Sequence, residues 1–150
     1  MEQLKINTRK QDFTAQYISA FENLSNLHIR NFENEKAYAL LENNKTNLKQ
    51  LKPEYGEVYY TCALIAFGKS TAKDLTDEEE ELYTITAIEY IDLAINYYKS
   101  INAPYIDFAE LIKVKAVAFY SLGKKTEGES LFYKHKNKLL WVVLYSWVFH

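Results

Sequence analysis

DEEEELYTITAIEYIDLAINYYK, residues 77–99, decides the fold. Its apolar side chains recur every three or four residues, the period of an α-helix. They fall on two stripes: Ile85, Ile88, Ile91, Ile95 and Tyr98, and beside them Tyr83, Ala87, Tyr90, Ala94 and Tyr97. Glu89, Asp92, Asn96 and Lys99 leave only a narrow polar strip. A helix that meets one neighbour needs one apolar stripe. Two stripes predict a helix of about 35 Å covered on both sides, as in a stack or a closed bundle. Thr76 and Glu79 just before it have the spacing of a capping box, the Thr as N-cap and the Glu three residues on.

The same period continues in both directions. Phe13, Tyr17, Phe21, Leu24 and Leu27 predict a first helix ending near Asn31. Ala37, Leu40, Leu41, Leu48 and Leu51 predict a second, with Glu33 and Glu35 near its positive end and Pro53 stopping it. A third runs from about Glu54 to Gly68, read as a left-handed cap. After helix 4, Asn102 is expected to cap a helix with Pro104 in its first turn. That helix carries Phe108, Leu111, Ile112, Ala116, Phe119 and Leu122, and ends at Gly123. Thr126 and Glu129 repeat the capping-box spacing and open a sixth. With only 4 Gly and 2 Pro, an all-β domain lacks its turns. The expected fold is all-α, about six helices antiparallel to their neighbours.

The chain has 150 residues, 48% of them apolar, and suits one domain over 1–150 with a real core. A net charge of −2, with Arg9 and Arg30 the only arginines, gives no reason to expect nucleic acid. The single cysteine, Cys62, lies in an apolar run and reads as a small core residue. The opening MEQLKINTRK has no apolar core of a signal peptide, so the expected location is cytoplasmic.

Two hairpins carry a resemblance. AVAFYSLGKKTEGESLFYKH places Ala116, Phe119 and Gly123 on one helix and its turn, then Gly128 and Phe132 on the next. AIEYIDLAI places Ala87, Ile91 and Ala94 at four- and three-residue spacing, paired with EVYYTCALIAFG ending at Gly68. This small–aromatic pattern resembles the tetratricopeptide repeats, over residues 54–136. Eighteen residues lie between Gly68 and Ala87, an expanded turn, and His135 stands where that family has a small residue. The resemblance implies a right-handed stack, with a closed helical bundle as the other arrangement. It also implies a groove that binds peptides or protein segments, lined by Tyr55, Val58 and Cys62 of helix 3 and Glu110, Lys113, Val117 and Tyr120 of helix 5. Only Lys113 matches the family's carboxylate-clamping positions, so a free C-terminus is not the expected ligand.

Catalytic patterns are missing from the sequence. The glycines, at 56, 68, 123 and 128, form no phosphate loop. No HExxH and no paired-cysteine metal spacing occurs, and His28, His135 and His150 are far apart in sequence. His28 reads as a helix-terminal cation or a satisfied side chain. No cofactor or metal is implied, and the reading is a non-enzyme. The acidic run Asp77, Glu78, Glu79, Glu80 and Glu81 reads as first-turn carboxylates favoured by the helix N-terminus, with a cation or basic-partner site as the other reading.

The end of the chain, LLWVVLYSWVFH (139–150), has ten apolar residues in twelve. Full burial of each large side chain is worth about 1.5–3 kcal/mol, so something should cover the segment, as helix or strand. At twelve residues it is shorter than the roughly twenty a spanning helix needs, which disfavours a membrane. Trp141, Leu144, Tyr145, Trp147 and Val148 are therefore expected in the chain's own core or in a homodimer or partner contact. Three functions follow as expectations: a protein-binding helical-repeat module; an immunity or inhibitor protein that neutralises a toxin or enzyme by stoichiometric binding; and a membrane-associated adaptor acting through the C-terminal segment.

Overall fold

The computed structural model describes residues 2–149, with side chains described for 13–140. The described residues form six α-helices and one short 3-10 turn, with no strand among them. In order these are α1 (Glu2–Arg30), α2 (Asn34–Lys49), the 3-10 turn (Pro53–Tyr55), α3 (Val58–Ser70), α4 (Asp77–Ser100), α5 (Tyr105–Ser121) and α6 (Lys125–Phe149). The all-α expectation holds. The chain divides into two compact units, Met1–Gln50 and Leu51–His150.

The first unit is the antiparallel hairpin α1–α2. Phe21, Ala37, Leu41 and Leu48 are buried, and the Tyr17 hydroxyl donates to Asn44 Oδ1 at 2.6 Å. The Asn44 amide in turn donates to the Leu40 carbonyl at 2.8 Å, so a polar pair sits satisfied between the two helices. The connection is tight. Phe32 adopts φ 58°, and its N–H donates to Ile29 O while that of Glu33 donates to His28 O. This is a Schellman closure of α1, with a Phe where glycine is usual. Glu33 then precedes α2, and the Lys36 ammonium paired with it holds its carboxyl below the usual range. His28 Nδ1 is buried, 3.5 Å from Glu33 Oε1, and makes no hydrogen bond. The fully buried Ser25 hydroxyl makes no hydrogen bond.

The second unit is built on α4, which pairs most extensively with α3 and next with α5; α5 pairs closely with α6, and α3 touches α5 lightly. The two stripes read from the sequence meet different partners. Tyr83 lies under the Lys69 ammonium of α3 at 5.2 Å, Tyr90 lies beside Tyr59 of α3, and Tyr97 presses on Gly56. On the other stripe Tyr98 stacks on Phe108 of α5 at 6.0 Å. Asp92, from the intervening polar strip, pairs with Lys115 of α5 at 2.6 Å. Small residues buried on both helices, Cys62, Ala63 and Ala66 on α3 with Ala87 and Ala94 on α4, let the backbones approach. Ile85 departs from expectation: at the N-terminal end of its stripe it is 41% exposed.

The capping box of α4 forms as expected. Glu79 N–H donates to Thr76 Oγ1 at 3.1 Å, and Thr76 N–H donates to Glu79 Oε2 at 3.0 Å. Three other boundaries differ. Gly68 lies inside α3, which ends at Ser70; there the Ser70 and Thr71 hydroxyls donate to Phe67 O and Gly68 O and satisfy the last carbonyls without a left-handed residue. Asn102 does not cap α5. At φ 53° it closes α4, its N–H donating to Lys99 O and that of Ala103 to Tyr98 O, and Pro104 takes the N-cap position of α5. Thr126 lies within α6, because Gly128 N–H already donates to Lys124 O and starts the helix earlier. Gly123, at φ 74°, ends α5 as expected.

Two substitutions test these packing and turn arguments by urea unfolding. A methyl group at Gly56 would come within 2.7 Å of the Tyr97 Cβ and Cγ; Gly56→Ala is expected to cost about 1–3 kcal/mol. Phe32 is 91% exposed and held in the left-handed region; Phe32→Gly is expected to gain about 0.5–1 kcal/mol. A loss of stability there would show that the Phe32 ring makes contacts the fold needs.

Candidate functional site

Helix α5 has two unlike faces. Phe108, Ala109, Leu111, Val114, Ala116 and Ala118 are buried. Away from them runs a stripe at alternating four- and three-residue spacing: Ile106, Glu110, Lys113, Val117 and Tyr120, all exposed. Ile106 is 57%, Val117 45% and Tyr120 44% exposed. Four of these five are the positions the repeat resemblance assigned to the groove. Ile106 extends the stripe by one turn; its spacing from Glu110 was the available signal.

On α3 the expectation needs correction. Val58 and Cys62 are 1% and 0% exposed and belong to the core. The start of α3 explains this. The 3-10 turn at Pro53–Tyr55 delays the helix to Val58, and the face carrying Val58, Cys62 and Ala66 is the one buried. Tyr55 is half-buried in the 3-10 turn. The α3 residue beside the stripe is Tyr60, whose phenol is pushed up by burial and further by the nearby Glu110 carboxylate. Tyr60 lies two positions from both Val58 and Cys62, off the stripe that sequence spacing selected.

An aromatic chain supports one end of this surface. Tyr60 meets Tyr98 edge-on at 6.3 Å, Tyr98 stacks on Phe108, Phe108 meets Tyr105 at 5.4 Å, and the Tyr105 hydroxyl hydrogen-bonds His135 Nδ1 at 2.9 Å. These rings join all four helices of the second unit. The His135 of the repeat resemblance is thus a buried polar side chain with a partner on α5. At the opposite end the Tyr120 ring packs against Gly128 of α6, where an added methyl would come within 3.0 Å of it.

The acidic run has a simpler place. Asp77, Glu78, Glu79, Glu80 and Glu81 are all exposed at the N-terminus of α4, and Glu79 serves the capping box. Asp77, Glu80 and Glu81 also line, with Ser121 and Leu122, an open hollow of about 260 Å³. A smaller cleft of about 170 Å³ in the first unit, lined by Tyr17, Ala20, Phe21, Leu24, Leu40 and Asn44, has no signature in the sequence. Among the described residues no group of three His, Cys, Asp or Glu is placed to hold a metal ion, and no helix is long and apolar enough to cross a membrane. Segment 139–149 continues α6 as helix. Trp141, Leu144, Tyr145, Trp147 and Val148 lie outside the residues whose side chains are described.

Comparison with protein families, curated proteins and solved structures gives no match.

The aromatic chain has a consequence for pH. Burial, reinforced by Glu57, pushes the Tyr98 phenol up to about 12, and burial raises Tyr59, Tyr60 and Tyr105 as well. The folded state then keeps protons that the unfolded chain releases near pH 10, so stability is full below that pH and falls as pH rises toward 12. Tyr98→Phe keeps the ring and removes the proton. Alkaline unfolding followed by circular dichroism and tyrosinate absorbance should shift to higher pH in that variant; an unchanged midpoint would remove Tyr98 as a cause.

Proposed function

We propose that the chain is a non-catalytic protein-binding module, and that the exposed stripe of α5, flanked by Tyr60 of α3, is its docking surface. The observation that carries this reading is the stripe itself. Three half-exposed apolar side chains, Ile106, Val117 and Tyr120, stand in line with an exposed acid and an exposed base. Scattered single apolar side chains on a surface need no explanation, but an aligned set does. An apolar patch with a few charges for orientation suits another polypeptide, which offers the same mixture.

The pairing of the helices supports the same reading. α3 with α4 and α5 with α6 form two hairpins, and their first helices touch. Successive hairpins in a tetratricopeptide-like stack adjoin in this way, and their first helices supply the binding groove.

A peptide-display selection on the immobilised chain tests it. Peptides enriched on the wild type should bind at least tenfold more weakly to Lys113→Glu and to Val117→Asp, both exposed and therefore expected to leave the circular dichroism spectrum unchanged. Enriched peptides that bind both variants with wild-type affinity would place the docking surface elsewhere.

A further inference from the structure

The α5 stripe is complementary to itself. Its positions, 106, 110, 113, 117 and 120, follow the alternating spacing of a coiled-coil seam. When two copies of such a seam pair antiparallel about a two-fold axis, residue numbers in each facing pair have a constant sum. With the axis between Glu110 and Lys113, Glu110 faces Lys113 of the second copy, and Lys113 faces its Glu110. The same register sets Ile106 against Val117 on both sides of the centre, and Tyr120 against Ala103. Every layer is then matched: two acid–base layers in the middle, an apolar layer beyond each, and an aromatic ring over the turn before each helix. A parallel pairing would set Glu110 on Glu110 and Lys113 on Lys113.

We propose that the occupant of this surface is a second copy of the same chain, docked α5 on α5 in that antiparallel register. The proposal rests on the reading of the stripe as a docking surface and names its partner. Ile106, Val117 and Tyr120 are exposed among the described residues of the second unit. Two-fold self-association of this kind requires one patch to be its own complement, and the charge order along α5 meets that requirement. The seam is short, about 21 Å from Ile106 to Tyr120. That places the contact at the weak end of specific interfaces, with dissociation constants expected at roughly tens of micromolar, rising with salt as the acid–base layers are screened.

Sedimentation velocity across a concentration series tests the proposal by charge exchange. The wild type should pass from monomer to dimer. Lys113→Glu and Glu110→Lys, each alone, put like charges into both central layers and should weaken self-association at least tenfold. An equimolar mixture of the two single variants restores both acid–base layers and should form a mixed dimer, and the doubly exchanged chain, E110K with K113E, should dimerise like the wild type. A wild type that stays monomeric throughout would overturn the proposal, as would a dimer indifferent to these exchanges. Loss of the selected peptides from the Lys113→Glu variant, alongside a monomeric wild type, would leave the surface a docking site and exclude the second copy. Peptides that bind regardless of both α5 variants, alongside a wild type that dimerises as described, would confine α5 to self-association.

Discussion

Everything in the second unit depends on α4 having neighbours on two sides at once. The stripe of Tyr83, Tyr90 and Tyr97 with alanines between them meets α3 and, at Gly56, the turn that precedes it. The stripe ending in Tyr98 meets α5. Tyr98 belongs to both contacts, because its ring also meets Tyr60 of α3. An aromatic at that position ties three helices together through one side chain, and the ring pair Phe108–Tyr105 passes the contact on to His135 of α6. Edge-on and offset ring contacts of this kind contribute about 0.5–1.5 kcal/mol each beyond burial. Burial also explains why the Tyr98 phenol resists ionisation. The rings that order the helices are the groups that make the unit sensitive to alkali.

The sequence made the helices legible because their period is long and repeated, and it made α4 the most legible because two stripes leave little freedom. The helix ends were harder for a physical reason. A capping box is a local exchange between two side chains and the backbone beside them, so Thr76 and Glu79 could be read directly. A Schellman closure needs only one residue willing to turn left-handed, and glycine is one candidate among several. Here Phe32, Asn102 and Gly123 fill that role, while Gly68, read from the sequence as a left-handed cap, is an ordinary helical residue. Hydroxyls at Ser70 and Thr71 close α3 instead. On α3 the groove assignment also went astray. A 3-10 turn before α3 moves the start of the helix, and Val58 and Cys62, assigned to the surface by analogy with a repeat, turn inward. Helix α5 has no such irregularity, and there the assigned residues are on the surface as expected.

Tolerance of small residues has a second role beside close packing. Gly56 and Gly128 each receive an aromatic ring, Tyr97 and Tyr120 respectively. A ring laid across a glycine occupies the space a side chain would take and covers the backbone there. The position of Tyr120 on the surface of α5 is therefore set from beneath by α6. A surface residue held in this way loses less conformational freedom when something binds to it, which favours association without any added contact.

The composition of the α5 seam raises one last point of energetics. A fully apolar seam would bind more surface, and would also accept any apolar helix in any register. Two charges at the centre of the seam weaken it, because each must shed water before it pairs. In exchange they penalise every arrangement that leaves an acid facing an acid or a base facing a base. For a short helix face flanked by exposed Ile106 and Val117, that penalty is what separates one pairing from nonspecific adhesion. The charges come in opposite signs three residues apart, so the penalty vanishes only for a partner that presents the same two signs in reverse order. An antiparallel copy of α5 does so by construction. An unrelated segment has to carry an acid and a base at matching spacing, with apolar side chains outside them. Selectivity at the proposed docking surface would thus follow from the order of four side chains, Ile106, Glu110, Lys113 and Val117, rather than from its area.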